Sequence, residues 1–316
     1  MTGIDDTTPP AAIQRVTVVT VNWNSGEELA RLLGDVHRQQ GIAASVVVVD
    51  NGSVDDSVER ARAVAGPEVR FVLTRRNTGY CEGNNIGISN ARPGDPILIV
   101  NPDVEFSSPD TIAGLIRCLD DRPNFAAIGP VVRQDGELDY TLSIFDATHC
   151  DIRLIRSGVV SSRPLPWIHG CVLLLRSEAL REIGGFDERF FIIFDEVDWC
   201  ARARRAGWQV GLCPDQEVVH RVAMREHATR ERLGQLHKGT YYSWRNRYLI
   251  CATYAEPTGT WQRYYLRALG RYILGRSGAS RTDRVLAIRG FVDALRGRTG
   301  PGHRDRPTSR RHTPGW

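Results

Sequence analysis

The sequence predicts an α/β fold in which a mostly parallel sheet is covered by helices on both faces. Apolar, β-rich runs alternate with amphipathic helical segments through the first third of the chain. The runs are continuously apolar and do not alternate with polar residues, which is typical of strands buried on both faces. The chain has 316 residues, of which 41% are hydrophobic and 25% charged. This length and composition support a sizeable core, and they exclude a disordered chain, a fibrous repeat and a disulfide-scaffold miniprotein.

The predicted elements follow one another in a repeated strand–helix order. Residues 1–14 are polar and contain proline, so we expect a flexible tail there. Strands are predicted at 16–22, 45–53, 69–74 and 96–103, with helices at 26–39, 55–65 and 84–91. A second set comprises a strand at 166–176, helices at 177–191 and within 192–208, a strand at 207–220, and helical segments at 237–254 and 261–274. Residues 299–316 are rich in Pro, Gly, Arg and Ser, which predicts a disordered tail.

The charge of the chain is small in total and unevenly distributed. The formal net charge is +4. After His220, however, the chain carries 20 Lys and Arg residues against 6 Asp and Glu residues. Two interpretations stay open: this region contacts an anionic membrane, or its arginines are solvated faces of helices. No nucleic-acid partner is predicted.

The cysteines and the N-terminus bear on where the protein works. The seven cysteines are dispersed and include no CxxC pair, which predicts reduced thiols and no disulfide framework. The first residues lack the basic and apolar regions of a secretory signal, and no apolar run reaches the length of a membrane span. We therefore expect a cytoplasmic protein, peripheral at the inner face of the membrane if the basic region binds lipid.

Polar residues follow three of the predicted strands. The first strand ends in Asn22-Trp23-Asn24, the second in Asp50-Asn51-Gly52-Ser53 and the fourth in Asn101-Pro102-Asp103. A glycine-rich segment, NTGYCEGNN at 77–85, precedes a predicted helix whose N-terminus would supply N–H donors for an anion. Ligands of parallel sheets bind at this edge, so the pattern predicts a nucleotide diphosphate site. The P-loop and the GxGxxG fingerprint are both absent, which disfavours ATPases and dehydrogenases.

An acidic cluster marks the second half of the chain. Asp195, Glu196 and Asp198 fall at a predicted helix start, directly after the apolar run 190–194. Apolar surroundings raise the pKa of a carboxyl group and can turn it into a general base, whereas capping of the helix is the competing interpretation. His220 lies at the end of the last predicted strand. It is either a metal ligand or a structural histidine, and both interpretations stay open.

These segments, taken together, resemble the family-2 inverting glycosyltransferases with a GT-A fold, and most closely a rhamnosyltransferase-like branch. The matching segments occur in family order from about residue 16 to 220: TVNWNS, VVVVDNGS, NTGYCEGNNIGI, ILIVNPDV, HGCVLLLR, GGFDERFFIIFDEVDWCARARRAGW and VVH. YYSWRNRYLI at 241–250 resembles a helix that follows in this branch. The resemblance implies a Rossmann-like nucleotide-sugar-binding half at 15–103, an acceptor and catalytic half at 104–220, and C-terminal helices at 221–298.

The resemblance also implies roles for individual residues. The donor nucleotide would be held by Asn22, Trp23, Asn24, Asp50, Asn51, Ser53, Asn77, Gly79, Asn84, Asn85 and Asn101. Asp103 matches the last acidic residue of the Asp-x-Asp signature and would bind Mg²⁺ or Mn²⁺ together with His220. Asn101 stands where that signature has its first acidic residue.

The same resemblance implies a catalytic base and an acceptor site. Glu196 aligns with the catalytic base, and Asp195 is the alternative because the usual order Glu-Asp is reversed here. The acceptor or sugar would contact His169, Gly170, Asp198 and Trp199.

The expected activity is metal-assisted inverting transfer of a sugar, with a carboxylate as general base. The branch favours dTDP-rhamnose as donor, and the acceptor is a saccharide, a lipid-linked saccharide or a small molecule. A nucleotidyltransferase and a non-catalytic nucleotide-binding scaffold stay open as alternatives, because both share a nucleotide-binding α/β half.

Overall fold

The computed structural model describes residues 13–134, 137–138, 143–146, 151–154, 164–221, 230–255, 259–275 and 278–302. Most of the predicted N-terminal tail and residues 303–316 of the predicted C-terminal tail lie outside this range. Residues 299–302 are described, and Gly302 is buried, with its N–H donated to the Tyr242 hydroxyl at 2.8 Å.

The first half of the chain alternates strands and helices as predicted. Its elements are β1 (Gln14–Asn22), α1 (Glu28–His37), β2 (Ile42–Asp50), α2 (Ser57–Val64), β3 (Val69–Leu73), α3 (Gly79–Ser89) and β4 (Ile97–Val100). Helix α3 begins five residues before its predicted start, so the glycine-rich segment is mostly its first turns and not a turn that precedes it.

The second half is more mixed. It contains β5 (Val104–Phe106), α4 (Thr111–Asp120), β6 (Phe125–Gln134), β7 (Glu137–Leu138), β8 (Ser143–Asp146), β9 (Asp151–Leu154), β10 (Val172–Leu175), α5 (Ser177–Ile183), α6 (Asp195–Arg205) and β11 (Gln209–His220). Three helices follow: α7 (Arg230–Tyr254), α8 (Thr260–Ile273) and α9 (Arg281–Leu295). The helix predicted for 177–191 ends at Ile183, because Gly184 takes a left-handed φ of 82° that an α-helix cannot continue through.

The main sheet has the strand order β3-β2-β1-β4-β10-β6-β11-β5, and β7 pairs with β6. Strands β1 to β4 run parallel, and β6 runs parallel to β11. Strand β10 is antiparallel to both of its neighbours, and β5 is antiparallel to β11 at the edge. The prediction of a mostly parallel sheet is confirmed.

The two antiparallel strands bring distant residues to the ends of the parallel ones. Val172, at the start of β10, pairs with Val100, at the end of β4. His220, at the end of β11, pairs with Val104 at the start of β5. Residues just before β10 and at the end of β11 are therefore carried to the edge where β4 ends.

Helices cover both faces of the sheet. One core cluster packs α1 and α4 against one face, through residues such as Leu32 and Leu115, and a second packs α5 and α6 against the other, through Leu180 and Trp199. The C-terminal helices have an aromatic core of their own around Tyr265. Within the part of the chain that the structure describes, no helix is both long enough and apolar enough to cross a bilayer.

The cysteines differ in state. Cys81, Cys118, Cys200 and Cys213 carry thiols, whereas Cys251 of α7 takes part in a disulfide bond. The prediction that the cysteines are all reduced is therefore wrong at Cys251.

Candidate active site

A pocket of about 280 Å³ opens beyond the carboxyl ends of β1, β2 and β4. Five of the predicted donor residues line it, together with the predicted metal ligand Asp103: Trp23, Asn51, Asn77, Gly79 and Asn101. Its apolar wall comes from the segment just before α6 and from α7, through Phe191, Ile192, Ile193 and Tyr242. Sequence reasoning considered the apolar run 190–194 only as a neighbour of the acidic cluster, so its role as a pocket wall was missed.

Asn22 and Asp50 lie behind the pocket wall. Parallel register pairs them at the ends of β1 and β2, and both are buried. The Asn22 amide donates to Asp50 Oδ1 at 2.9 Å, to Ser53 Oγ at 3.0 Å and to Ser57 Oγ at 2.9 Å. Asn24 also binds the loop that follows β2, because its Oδ1 accepts the Val54 N–H at 2.8 Å. In this structure these residues shape the loop after β2 and do not line the pocket.

The start of α3 is held by side-chain amides. Asn51 donates to the Gly79 carbonyl at 2.8 Å and accepts from the Thr78 hydroxyl at 2.8 Å. Asn77 Oδ1 accepts the Gly79 N–H at 2.9 Å. The next two amides of the helix, those of Tyr80 and Cys81, both donate to the Phe191 carbonyl, at 2.6 and 3.2 Å. The expectation that this helix start offers its N–H groups to an anion needs correction, since its first three amides already have acceptors in the protein.

Asn84 and Asn85 lie further along α3 and away from the pocket. Asn84 is fully buried. Asn85 donates to the Phe186 carbonyl at 2.8 Å and accepts the Phe186 N–H at 2.8 Å. This pair of bonds joins α3 to the loop after α5, which is a structural role.

Tyr80 links two sides of the cleft, a role that the sequence did not reveal. Its hydroxyl lies 2.9 Å from Asn101 Oδ1 and 2.9 Å from the Gly170 carbonyl. Asn101 follows β4 two residues before Asp103, and Gly170 packs against Glu196: a Cβ placed on Gly170 would lie 3.4 to 3.5 Å from the Glu196 side chain. A chain of contacts thus joins Asn101, two residues before Asp103, to Glu196. The sequence signal that could have indicated this role is the single tyrosine, Tyr80, within the glycine-rich segment 77–85.

Asp195 and Glu196 form a carboxyl pair at the N-terminus of α6. The two carboxyl groups interact with each other, and this interaction raises the pKa of Glu196. Burial raises the pKa of Asp195 to about 6. Burial, followed by repulsion from Asp195, raises the pKa of Glu196 well above its usual range. Two close carboxyl groups in an apolar setting cannot both ionise easily, so the pair holds a proton at neutral pH and carries about one negative charge.

The segment that leads into this pair has a strained backbone. Phe191, Ile193 and Phe194 have positive φ angles of 66°, 71° and 71°. Each such residue costs about 1–3 kcal/mol, and a β-branched isoleucine in this region is a genuine outlier. Strain of this kind persists only where surrounding contacts enforce it.

Asp198 and Trp199 of α6 make contacts that hold the fold together. Asp198 is buried, accepts from Arg202 Nε at 2.8 Å and accepts from the Tyr254 hydroxyl at 2.6 Å. Trp199 is fully buried in the core, and its indole donates to the Gly184 carbonyl at 3.0 Å. The expectation that these two side chains contact an acceptor does not fit this structure, because both are buried and hydrogen-bonded within the protein.

The predicted metal ligands lie side by side. His220 Nε2 is 3.4 Å from Asp103 Oδ1, and both side chains are largely buried. The His169 ring meets the His220 ring edge-on at 5.8 Å between centroids. No cluster of three or more His, Cys, Asp or Glu residues suited to a metal occurs among the described residues. The chain therefore offers one carboxylate and one imidazole at the pocket edge, a donor set that suits Mn²⁺ and leaves other positions for ligand oxygens and water.

The arrangement connects three features through direct contacts. A polar and apolar pocket can hold a flat ring and a diphosphate, an O/N pair at its edge can hold a cation, and a carboxyl pair of raised pKa can take a proton from a hydroxyl group.

Comparison with known proteins gives a consistent result. The profile of the family described as "Glycosyltransferase like family 2" matches residues 13–239. The chain is 29% identical over 311 residues to the N-acetylglucosaminyl-diphospho-decaprenol L-rhamnosyltransferase of Mycobacterium tuberculosis, a match that spans 84% of this chain and 95% of the relative. It is 25% identical to the galactofuranosyltransferase GlfT1 of the same organism, over 82% of this chain and 96% of the relative.

A solved structure resembles the fold. The mannosyltransferase PcManGT from Pyrobaculum calidifontis, in complex with GDP-Man and Mn²⁺, superposes with a TM-score of 0.58 at 18% identity. The match covers 93% of this chain and 89% of that one. The likeness supports the GT-A fold that the sequence motifs implied.

Proposed function

The chain belongs to glycosyltransferase family 2, and on that premise we propose that it transfers a sugar from a nucleoside diphosphate sugar to an acceptor hydroxyl with inversion at the anomeric carbon. Family membership and the named glycosyltransferase relatives make it a sugar-transferring enzyme. They leave nucleotidyl transfer and a non-catalytic scaffold without support.

One observation carries the proposal. Asp103 lines the pocket with His220 beside it, and contacts through Asn101, Tyr80 and Gly170 connect this edge of the pocket to Glu196. Single-displacement transfer needs the leaving diphosphate and the attacking hydroxyl on opposite sides of one sugar. A cation-binding pair on one side and a proton acceptor on the other match that requirement.

The donor's nucleotide occupies the pocket in this proposal. Trp23 and the apolar wall flank the base, while Asn51, Asn77 and Asn101 supply amide groups for ribose and phosphate oxygens. Asp103 and His220 hold a Mg²⁺ or Mn²⁺ ion, and the Mn²⁺ present in the mannosyltransferase complex supports this assignment. When bound, such an ion neutralises charge that develops on the departing diphosphate.

Glu196 is the general base of the proposed reaction. It is only partly buried, whereas Asp195 is 3% exposed, so Glu196 is the carboxyl group that an acceptor can reach. In its ionised form, the Glu196 carboxylate accepts the proton of the acceptor hydroxyl as that oxygen attacks the anomeric carbon. The C–O bond to the diphosphate breaks in the same step.

The rhamnosyltransferase relative supports a finer assignment of substrates. We propose dTDP-rhamnose as the donor and a saccharide on a polyprenyl diphosphate as the acceptor, because the chain matches that relative over 95% of its length. A panel of nucleoside diphosphate sugars in a thermal-shift assay tests the donor, since a ligand that binds only the folded state raises Tm.

Substitutions at the two pairs test the mechanism. Glu196→Gln is expected to lower kcat by about 10²–10⁴-fold while donor Kd stays near wild type, because it removes a general base and no donor contact. Asp103→Ala is expected to weaken Mn²⁺-dependent donor binding instead. Wild-type turnover in Glu196→Gln, or unchanged metal dependence in Asp103→Ala, refutes the corresponding role, and NMR of the product's anomeric proton reports inversion or retention.

A lipid-linked acceptor requires access to a membrane, and the outer face of α9 suits one. Val285, Ile288 and Leu295 are 50%, 40% and 56% exposed on this face, beside the exposed Arg281, Arg289 and Arg296. The two acidic residues of α9 bond within the protein, Asp283 to Ser280 and Asp293 to Tyr241 and Arg298. Aliphatic side chains framed by arginines match an anionic lipid surface.

Vesicle flotation tests this contact. Each arginine near an anionic surface contributes about 1 kcal/mol, so reversing Arg281, Arg289 and Arg296 to Glu should abolish binding to phosphatidylglycerol-containing vesicles. The matched control reverses three exposed arginines outside the C-terminal helices, namely Arg70, Arg92 and Arg117. Equal loss of binding in both triple variants, or equal wild-type binding to neutral phosphatidylcholine vesicles, would reject α9 as the contact.

A further inference from the structure

Two polar side chains of α7 are completely buried and have no part in the proposed chemistry. Arg245 and Asn246 are both 0% exposed. They lie in the segment YYSWRNRYLI, and a buried guanidinium is costly unless all its donors are satisfied. Their partners show why the helix carries them.

Asn246 binds the segment that precedes α6. Its amide nitrogen lies 2.9 Å from the Phe190 carbonyl, 2.8 Å from the Ile192 carbonyl and 2.8 Å from the Ile193 carbonyl. Its own Oδ1 accepts Arg245 Nε at 2.9 Å, which fixes the orientation of the amide.

Arg245 binds the beginning of the same segment. Its Nη2 donates to the Arg189 carbonyl at 2.9 Å and to the Phe190 carbonyl at 2.7 Å. Its Nη1 donates to the Gly300 carbonyl, and Gly300 donates its own N–H to the Arg189 carbonyl at 3.0 Å. The guanidinium also stacks over the Tyr242 ring at 4.9 Å.

The segment held in this way is residues 189–194, hereafter the pre-α6 segment. It contains three non-glycine residues with positive φ, and it ends one residue before Asp195. Phe191 forms part of the pocket wall and accepts the amides of Tyr80 and Cys81. The conformation of the pre-α6 segment therefore determines where both α6 and α3 begin.

We propose that Arg245 and Asn246 are positioning residues, which hold the pre-α6 segment in its strained conformation and so keep Glu196 aligned against Gly170. This inference rests on the proposed function, because it takes Glu196 as the base. It gives the C-terminal helices a role in catalysis: their contacts to backbone carbonyls stabilise a conformation that the segment's own side chains disfavour.

A double-mutant cycle tests the proposal. Asn246→Ala removes the contacts of one amide to three carbonyls, and a displacement of about 1 Å at a catalytic group costs up to 10²-fold in rate, so kcat should fall about 10–100-fold. In the Glu196→Gln background the same substitution should lower kcat less than about threefold, because there is no longer a base to align. Equal factors in the two backgrounds would overturn the proposal.

A second measurement does not depend on Glu196. Hydrogen exchange of peptides that cover 189–200 should accelerate in Asn246→Ala and in Arg245→Lys, which retains the charge and loses the forked donor geometry. The control is Tyr265→Phe, which removes another buried hydrogen bond of α7, from the Tyr265 hydroxyl to the Trp244 carbonyl at 2.8 Å. Unchanged exchange in both variants, or equal acceleration in the control, contradicts the inference.

The two measurements separate the possible failures. Wild-type turnover in Glu196→Gln would refute the proposed base, and the exchange data would still decide whether α7 holds the segment. A slow Glu196→Gln with equal factors in the cycle would leave the base intact and reject the positioning role. Urea unfolding of each variant verifies that the protein is folded under the assay conditions.

Discussion

Replacing Asp195 by asparagine is expected to stabilise the fold at neutral pH while impairing catalysis. Burial raises the pKa of Asp195 from 3.8 to about 6, and the side chain is 3% exposed. A shift of this size corresponds to about 3 kcal/mol at 1.36 kcal/mol per pKa unit. The folded protein keeps a proton that the unfolded chain releases, so its stability falls as the pH rises from about 4 to about 6.

Above pH 6 the wild-type protein carries the full cost of the buried charge. The amide group that replaces the carboxyl group cannot ionise, so Asp195→Asn should gain up to about 3 kcal/mol at pH 8 and nothing at pH 4. Urea unfolding of the protein without donor or metal, measured at several pH values, gives both numbers. In the same samples kcat should fall, because the substitution removes the carboxyl group that interacts with Glu196.

Asp198→Asn is the matched control on the same helix. Asp198 is also buried, but it accepts one charge-assisted hydrogen bond from Arg202 and another hydrogen bond from Tyr254. Its substitution should therefore destabilise the protein at pH 8 by about 1.5–3 kcal/mol. Parallel stability curves for wild type and Asp195→Asn between pH 4 and 8 would refute the burial argument for Asp195.

Three further substitutions test separate parts of the site. Tyr80→Phe removes the hydroxyl between Asn101 and Gly170, so the free energy of unfolding should fall by about 1–3 kcal/mol. The value of kcat should fall as well, and wild-type activity would show that the contacts of Tyr80 do not matter for catalysis. Gly79→Ala places a methyl group 2.5 Å from the Phe191 ring at a φ of 89°, and both donor affinity and Tm should drop. Trp199→Phe should lower stability in urea unfolding and leave the acceptor KM within about twofold, whereas a large rise in KM would return Trp199 to the acceptor site.

Much of the fold was predictable because it depends on local patterns. Continuous apolar strands such as β1 and β2 alternate with amphipathic helices, and the parallel sheet follows from that alternation. The ends of α5 and α3 were less predictable. Gly184 stops a helix that periodicity alone would extend. The glycines at the start of α3 allow close packing, because a Cβ would lie 2.5 Å from the Phe191 ring at Gly79 and 3.0 Å from Val21 at Gly83.

The candidate site was predictable in its residue types and less so in their roles. Asn51, Asn77 and Asn101 line the pocket, whereas Asn22 and Asn85, equally polar and equally close to the predicted rim, make their hydrogen bonds inside the protein. Sequence position does not reveal which way a side chain points once its strand has ended.

The strand–helix alternation, the polar strand ends and the acidic cluster could be predicted from the sequence by itself, because each depends on neighbours within a few positions. Folding in three dimensions assigned the partners. The antiparallel pairing of β11 with β5 places His220 beside Asp103. Helix α7 packs on the strained backbone that precedes Asp195. Contacts between residues about 50 to 120 positions apart depend on how the sheet closes and how helices pack on it, and no local pattern contains that information.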